Sequence, residues 1–191
     1  MTTDTPSPLP PPLPPDAFWA LVAQARARTT AARTFAEQLT ELLTGRPRDE
    51  IVAFELRFNH LHGALYRWDV WAAGYLVGGG CSDDSFMDFR AGVIALGRDW
   101  YERVLASPDS LAGHPWALGE DPAELEEVFD EDTNYTGAMA FAATYGEDEW
   151  HRLFDAGQHT LQEEPDMGED FDFDDDAEMH RRLPRLAALF L

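Results

Sequence analysis

Apolar positions along this chain recur at three- and four-residue steps, the period of a helix face turned toward a core. From Asp16, a candidate cap, Phe18, Leu21, Val22 and Ala25 share one face and predict a helix near 16–30. Phe35, Leu39 and Leu42 predict a second over 33–44, closed by Gly45 and Pro47. After Asp49 the pattern is strongest, with Ile51, Phe54, Phe58, Leu61 and Leu65 in register. Trp68 to Val77 is apolar nearly all round apart from Asp69, which predicts a helix buried on most of its surface and stopped by Gly78, Gly79 and Gly80. Ser82-Asp83-Asp84-Ser85 then offers a cap and first-turn acids. Phe86, Phe89, Val93, Leu96, Trp100 and Val104 predict one continuous helix from there to about Ala106, closed by Pro108. Residues 107–120 read as a loop, and Asp121-Pro122-Ala123-Glu124, a capping-box variant, opens a helix with Leu125, Val128 and Phe129 inside. A further helix passes through Met139 and Phe141, and a short one carries Trp150, Leu153 and Phe154. No alternating run is long enough to predict a strand. The expected fold class is all-α, a compact single-domain helical bundle.

The two ends break this pattern. Seven of the 13 prolines lie in residues 6–15, where they fix an extended polyproline II form and remove backbone donors. Residues 1–15 are therefore expected to be a disordered proline-rich head, a stiff spacer in preference to a ligand for an aromatic groove of SH3 type. Residues 16–145 form the expected helical core domain. Residues 146–191 form an acidic C-terminal segment, in which Arg181-Arg182-Leu183-Pro184-Arg185 leads into an apolar LAALFL ending expected to dock as a helix on the core.

Charge narrows the function. The 191 residues carry 36 Asp and Glu against 14 Arg and no Lys, a formal net charge of −22. Residues 120–178 hold 22 of the acids and one Arg, whereas residues 1–119, with 14 acids and 10 Arg, are near balance. No basic stripe is present, so direct nucleic-acid binding is disfavoured, and the acidic third points to a basic protein partner. A single cysteine, Cys81, excludes an internal disulfide and suits a reducing compartment. The N-terminus lacks the basic start and apolar run of a signal peptide, and no stretch approaches bilayer length, so a soluble, cytoplasmic protein without membrane contact is expected. No cofactor is implied, and no motif encodes an oligomeric state.

Several constellations invite chemistry and then fall short of it. Asp170, Asp172 and Asp174 match the first, third and fifth positions of an EF-hand loop, but Asp175 stands at the glycine position and Arg181 at the bidentate glutamate, so a solvated acidic run is preferred. Asp148 precedes His151 by three residues and Asp155 follows it by one turn, yet a di-metal bundle needs such a set twice. His60 and His62, two apart on a helix, cannot face one metal together. Cys81 sits at the mouth of a helix, which lowers a thiol pKa, beside Asp83 and Asp84, which raise it, and no Cys/His/Asn spacing of a protease is visible. Gly78 to Ser85 lacks the Lys-Ser/Thr of a P-loop and reads as a tight interhelical turn.

The densest concentration of unusual residues is Tyr66, Arg67, Trp68, Asp69, Trp71 and Tyr75, followed by Cys81, Ser82, Asp83, Asp84 and Arg90. Charges on so apolar a stretch need partners, and Arg67 and Asp69 are expected to pair with neighbours or with Arg90 and Asp83/Asp84. A polar network under aromatic cover is also how a ligand pocket looks, so these residues are the candidate site, with structural pairing the preferred reading.

Those same residues carry a resemblance. Ala53-Phe54, the Ala64–Leu76 stretch with Tyr66-Arg67-Trp68-Asp69 and Trp71, Gly79-Gly80-Cys81-Ser82-Asp83-Asp84, Phe86, Phe89-Arg90 and Gly97-Arg98 resemble a bacterial family known as domain of unknown function 4240. The FWALV start at Phe18 and the Pro184-Arg185-Leu186 ending are also similar to it, and the resemblance covers roughly residues 16–145. It implies no activity and assigns no functional residue. Some members are joined to a WGR module associated with DNA-linked proteins, for which this chain has no room.

The leading expectation is a non-catalytic interaction or regulatory protein that uses an acidic face. An enzyme or small-ligand binder with its site at residues 66–84 is the alternative, and a DNA mimic or toxin-neutralising protein a weaker one.

Overall fold

The computed structural model describes residues 9–119, 128–157 and 166–191. The proline-rich residues 1–8, the capping-box helix start at Asp121 and the stretch 158–165 lie outside them. The described residues are helical, with no strand among them. They fall into two compact units, one within Met1–His60 and Tyr135–Glu164, the other within Leu61–Asn134 and Pro165–Leu191.

The first unit holds α1 (Pro15–Arg28), α2 (Phe35–Leu43), most of α3 (Arg48–Ala64), α7 (Thr136–Tyr145) and α8 (Glu147–Gly157). Helix α1 starts one residue before Asp16, at Pro15, a first-turn position where the missing N–H costs nothing; Asp16 lies inside the first turn and does not cap. Helix α2 opens on a full capping box: Glu37 N–H donates to Thr34 Oγ1 at 3.2 Å, and Thr34 N–H donates to the Glu37 carboxylate at 2.9 Å. The core is built on Phe18 stacked on Phe54, with ring centroids 4.9 Å apart, and on Ile51, Val52 and Phe141, against which Leu9, Leu56, Trp150, Leu153 and Phe154 pack. The spacer expected through residue 15 is anchored over its described part. Leu13, one of the few residues there with an N–H, donates it to Ala53 O at 2.7 Å, and Arg57 Nε donates to Leu13 O at 2.7 Å. Gly137 brings α7 close to α3: a Cβ there would fall 2.3 Å from the carboxylate of Glu55.

The second unit holds the last turn of α3, α4 (Trp68–Gly78), α5 (Asp83–Ala95), α6 (Arg98–Ala106), α9 (Asp176–Arg182) and α10 (Pro184–Phe190). Helix α4 buries Val70, Ala72, Ala73, Gly74, Leu76 and Val77 and ends on Gly79 in the left-handed conformation, φ 63°. Ser82 caps α5, its Oγ accepting from Ser85 N–H at 3.2 Å. The helix expected to run unbroken to Ala106 is two helices. Gly97 adopts φ 94°, which turns the chain between Ala95 and Arg98, while the apolar spacing carries on across the turn and so concealed it. The expected loop after Ser107 is built of 3₁₀ turns at Pro108–Gly113 and Pro115–Leu118. Buried Asp109 accepts from the Arg185 and Leu186 N–H groups at 3.0 and 2.9 Å, fixing α10, whose Leu186 and Ala187 are fully buried against α4 and the first 3₁₀ turn. Leu189 and Leu191 of the same ending stay exposed. No helix among the described residues is long and apolar enough to cross a membrane.

Candidate functional site

Helices α4 and α5 place the candidate residues along one run of rings. Trp68 stacks on Trp71 at 5.4 Å and 7°, as expected of residues three apart on a helix. Trp71 stacks on Phe86 of α5 at 4.7 Å and 10°, and Phe86 on Tyr66 at 5.7 Å. Gly74 permits this closeness, since a Cβ there would lie 3.2 Å from Phe89 and 3.4 Å from Cys81 Sγ. Trp71 also donates its indole N–H to Cys81 O at 2.9 Å, tying α4 to the turn that follows it.

The run is covered from the C-terminal segment. Phe173 sets its ring against Trp68, Trp71 and Tyr75 at 6.1, 6.3 and 5.5 Å, geometries in the favoured range for aromatic pairs. Trp68 N–H donates to Met167 O at 3.0 Å, and the Tyr75 hydroxyl donates to Asp174. Phe171 packs edge-on against Phe173 and lies 4.1 Å below the Arg182 guanidinium. In the FDFDDD run the two phenylalanines are half-buried and the aspartates between and after them are exposed, so the run is a docked segment with a charged outer edge. Of its acids, Asp175 caps α9 and Asp174 meets Tyr75.

Two of the five charges inside the candidate set pair with each other. Arg67 and Asp69 meet in a two-pronged bond, Nε to Oδ1 at 2.9 Å and Nη2 to Oδ2, and Arg67 Nη1 donates to Leu105 O at 2.8 Å. A depression of about 220 Å³ opens beside them, lined by Arg67, Asp69, Arg182 and the Asp166–Glu169 stretch. Its second arginine is also occupied: Arg182 meets Glu169 at 2.9 Å and Glu178 at 3.0 Å. Hydrogen bonds from Arg181 and Arg182 hold the Glu178 carboxyl down to about 2.

Asp69 does not meet Arg90, nor does Arg67 meet Asp83 or Asp84, the longer pairings the sequence left open. Those acids stay exposed in the first turn of α5, where they complement its dipole. Arg90 instead points back to the end of α3, donating to His62 O and Phe86 O at 3.2 and 3.3 Å. Cys81 is half-buried, and burial pushes its thiol up to about 11, with Asp88 adding to the rise. The opposition expected from Asp83 and Asp84 is thus supplied by burial first, and the thiolate that nucleophilic catalysis needs is scarce at neutral pH. Among the described residues no three His, Cys, Asp or Glu side chains are grouped to hold a metal.

Sequence reasoning missed His62, Phe171 and Phe173 as members of this assembly. A usable signal was present for the phenylalanines: they alternate with aspartate, so one side of an extended run is apolar. No curated protein and no solved structure matches the chain. A family model described as a protein of unknown function, DUF4240, matches residues 14–143, which takes in α1 to α6 and the ring assembly from Tyr66 to Arg90. The chain belongs to that family.

Proposed function

We propose that this protein is a non-catalytic interaction protein that presents the acidic edge of its Asp170–Asp176 segment to a basic protein surface. The observation that carries the reading is the docking of Phe171 and Phe173 with Asp170, Asp172 and Asp176 left exposed. Carboxylates on a held segment meet a partner with less ordering entropy to lose than a free tail would, and complementary charge speeds encounter. The enzyme or small-ligand reading at residues 66–84 is weakened by the Arg67–Asp69 pairing, the filled ring stack and the raised Cys81 thiol. The same negative edge disfavours direct nucleic-acid binding, and the proposed setting is the cytoplasm.

A fluorescent arginine-rich peptide tests this by anisotropy over a salt series. Replacing Asp170, Asp172 and Asp176 by Asn is expected to weaken binding about tenfold at low salt. An equal neutralisation at Asp132, Glu147 and Asp148, which are also exposed, should change it less than about twofold. Equal losses from both triple variants, or binding indifferent to salt, would overturn the proposal.

A further inference from the structure

Arginines of this acidic protein find carboxylates even at its surface: Arg33 pairs with Glu41, Arg46 with Glu50, Arg48 with Glu149, Arg98 with Glu102 and Arg181 with Glu178. Arg90, only 8% exposed, is the one arginine counted as buried among the described residues, and it has no carboxylate. Its hydrogen bonds all go to neutral acceptors. Nε donates to Phe86 O at 3.3 Å, and Nη1 donates to His62 O at 3.2 Å and to His62 Nδ1 at 3.1 Å.

His62 does not neutralise this charge. Its Nε2 lies 2.9 Å from Met87 O and so carries the ring proton, leaving Nδ1 to accept. Burial, helped by the Arg90 charge, pushes the imidazole down to about 4. The rings of Tyr66 and Phe86, each 4.7 Å from the guanidinium carbon, attract the cation without cancelling it. An enclosed charge left without a counter-charge is costly, and a protein with 36 acids has had ample means to supply one.

The remaining nitrogen, Nη2, makes no hydrogen bond. Among the described residues the fully buried side-chain nitrogens and oxygens lacking a partner are Ser110 Oγ and Trp116 Nε1, so the Nη2 edge is reached by solvent. Arg90 therefore offers a fixed cation: two of its nitrogens are spent on α3 and α5, and one edge faces out. The arginines of the 220 Å³ depression offer nothing comparable, since Asp69, Glu169 and Glu178 already hold them.

We propose that Arg90 is the receptor of an oxyanion subsite, with Nη2 donating to one oxygen of a phosphate or carboxylate group on a small molecule. A guanidinium held flat by two fixed nitrogens keeps its third in a set direction, which selects an oxygen acceptor over a spherical halide. The surrounding negative charge weakens casual anion binding elsewhere on the protein, so a local response stands out.

The test is a titration of the full-length protein followed by its arginine side-chain nitrogen resonances. Sodium phosphate, sodium acetate and sodium chloride are compared at constant ionic strength and neutral pH. The Arg90 Nε resonance is expected to shift saturably with phosphate or acetate and to stay still with chloride. The tighter of the two anions distinguishes a phosphate ligand from a carboxylate one. Arg90→Lys, which keeps the charge and loses the fork, has no such resonance; followed in both proteins by the backbone amides of Phe86 and Met87, its binding should be at least about tenfold weaker. If that variant does not fold, the unmodified protein still decides: no saturable shift at Arg90, or equal shifts at Arg98 and Arg181, would mean an adventitious ion only and would overturn the subsite.

Discussion

Glu55 and His62, seven residues apart on α3, are both titratable groups whose charged forms burial disfavours, and they bend stability with pH in opposite directions. Burial pushes the Glu55 carboxyl from 4.5 up to about 7, opposed only in part by Asn59. Between those values the folded protein keeps a proton that the unfolded chain releases, so stability falls as pH rises, by about 3 kcal/mol in all. For His62, lowered from 6.5 to about 4, the unfolded chain takes up the proton first, so stability is lost as pH falls through that window, again by about 3 kcal/mol. Urea denaturation from pH 4 to 8 checks both. Glu55→Gln should match the parent in acid and exceed it above pH 7, and His62→Gln should remove the acid-side loss. Parallel curves for parent and variants would contradict the assignment. Neither behaviour was legible in the sequence, where Glu55 is one acid among 36 and His62 stood out only as half of a failed metal pair.

Among elements, the helices followed from apolar spacing because most buried positions, from Phe18 and Phe54 to Phe86 and Val104, lie on the faces that spacing defines. The break at Gly97 did not follow, since periodicity is blind to a turn that preserves the register. Gly97→Ala should cost about 1–3 kcal/mol, the strain of a φ 94°, ψ 172° backbone that glycine alone adopts readily. Gly92→Ala should cost more, about 3 kcal/mol or above, because its Cβ would lie 1.7 Å from Val128 O, a backbone atom that cannot swing aside. Urea midpoints of the two variants order these costs, and a milder effect at Gly92 would contradict the close approach. The capping box at Thr34 and Glu37 was also present to be read, as a Thr followed three residues later by Glu. The docked FDFDDD run was harder, because its partners lie about a hundred residues earlier and no local pattern names them.

At the scale of the whole molecule, a net charge of −22 is less informative than its placement. The acids concentrate after residue 119, and part of that excess sits on the Asp170–Asp176 segment, held at its base by rings from α4. Of the candidate residues, Arg67 sits on Asp69, and Trp68, Trp71 and Tyr66 share one stack through Phe86, which was not among them. Their rings support the segment that carries Phe173. Ordered presentation and bare charge are separable, because Phe173→Ala leaves every acid in place and removes only the ring that docks them. The measurement is the anisotropy titration of the arginine-rich peptide with this variant, run beside tryptophan emission to confirm that Trp68 and Trp71 have become more exposed. The account predicts a red-shifted emission and binding weakened about fivefold, equivalent to about 1 kcal/mol of lost preorganisation. Unchanged affinity with the emission shifted would show that charge alone carries the interaction, and would contradict the claim.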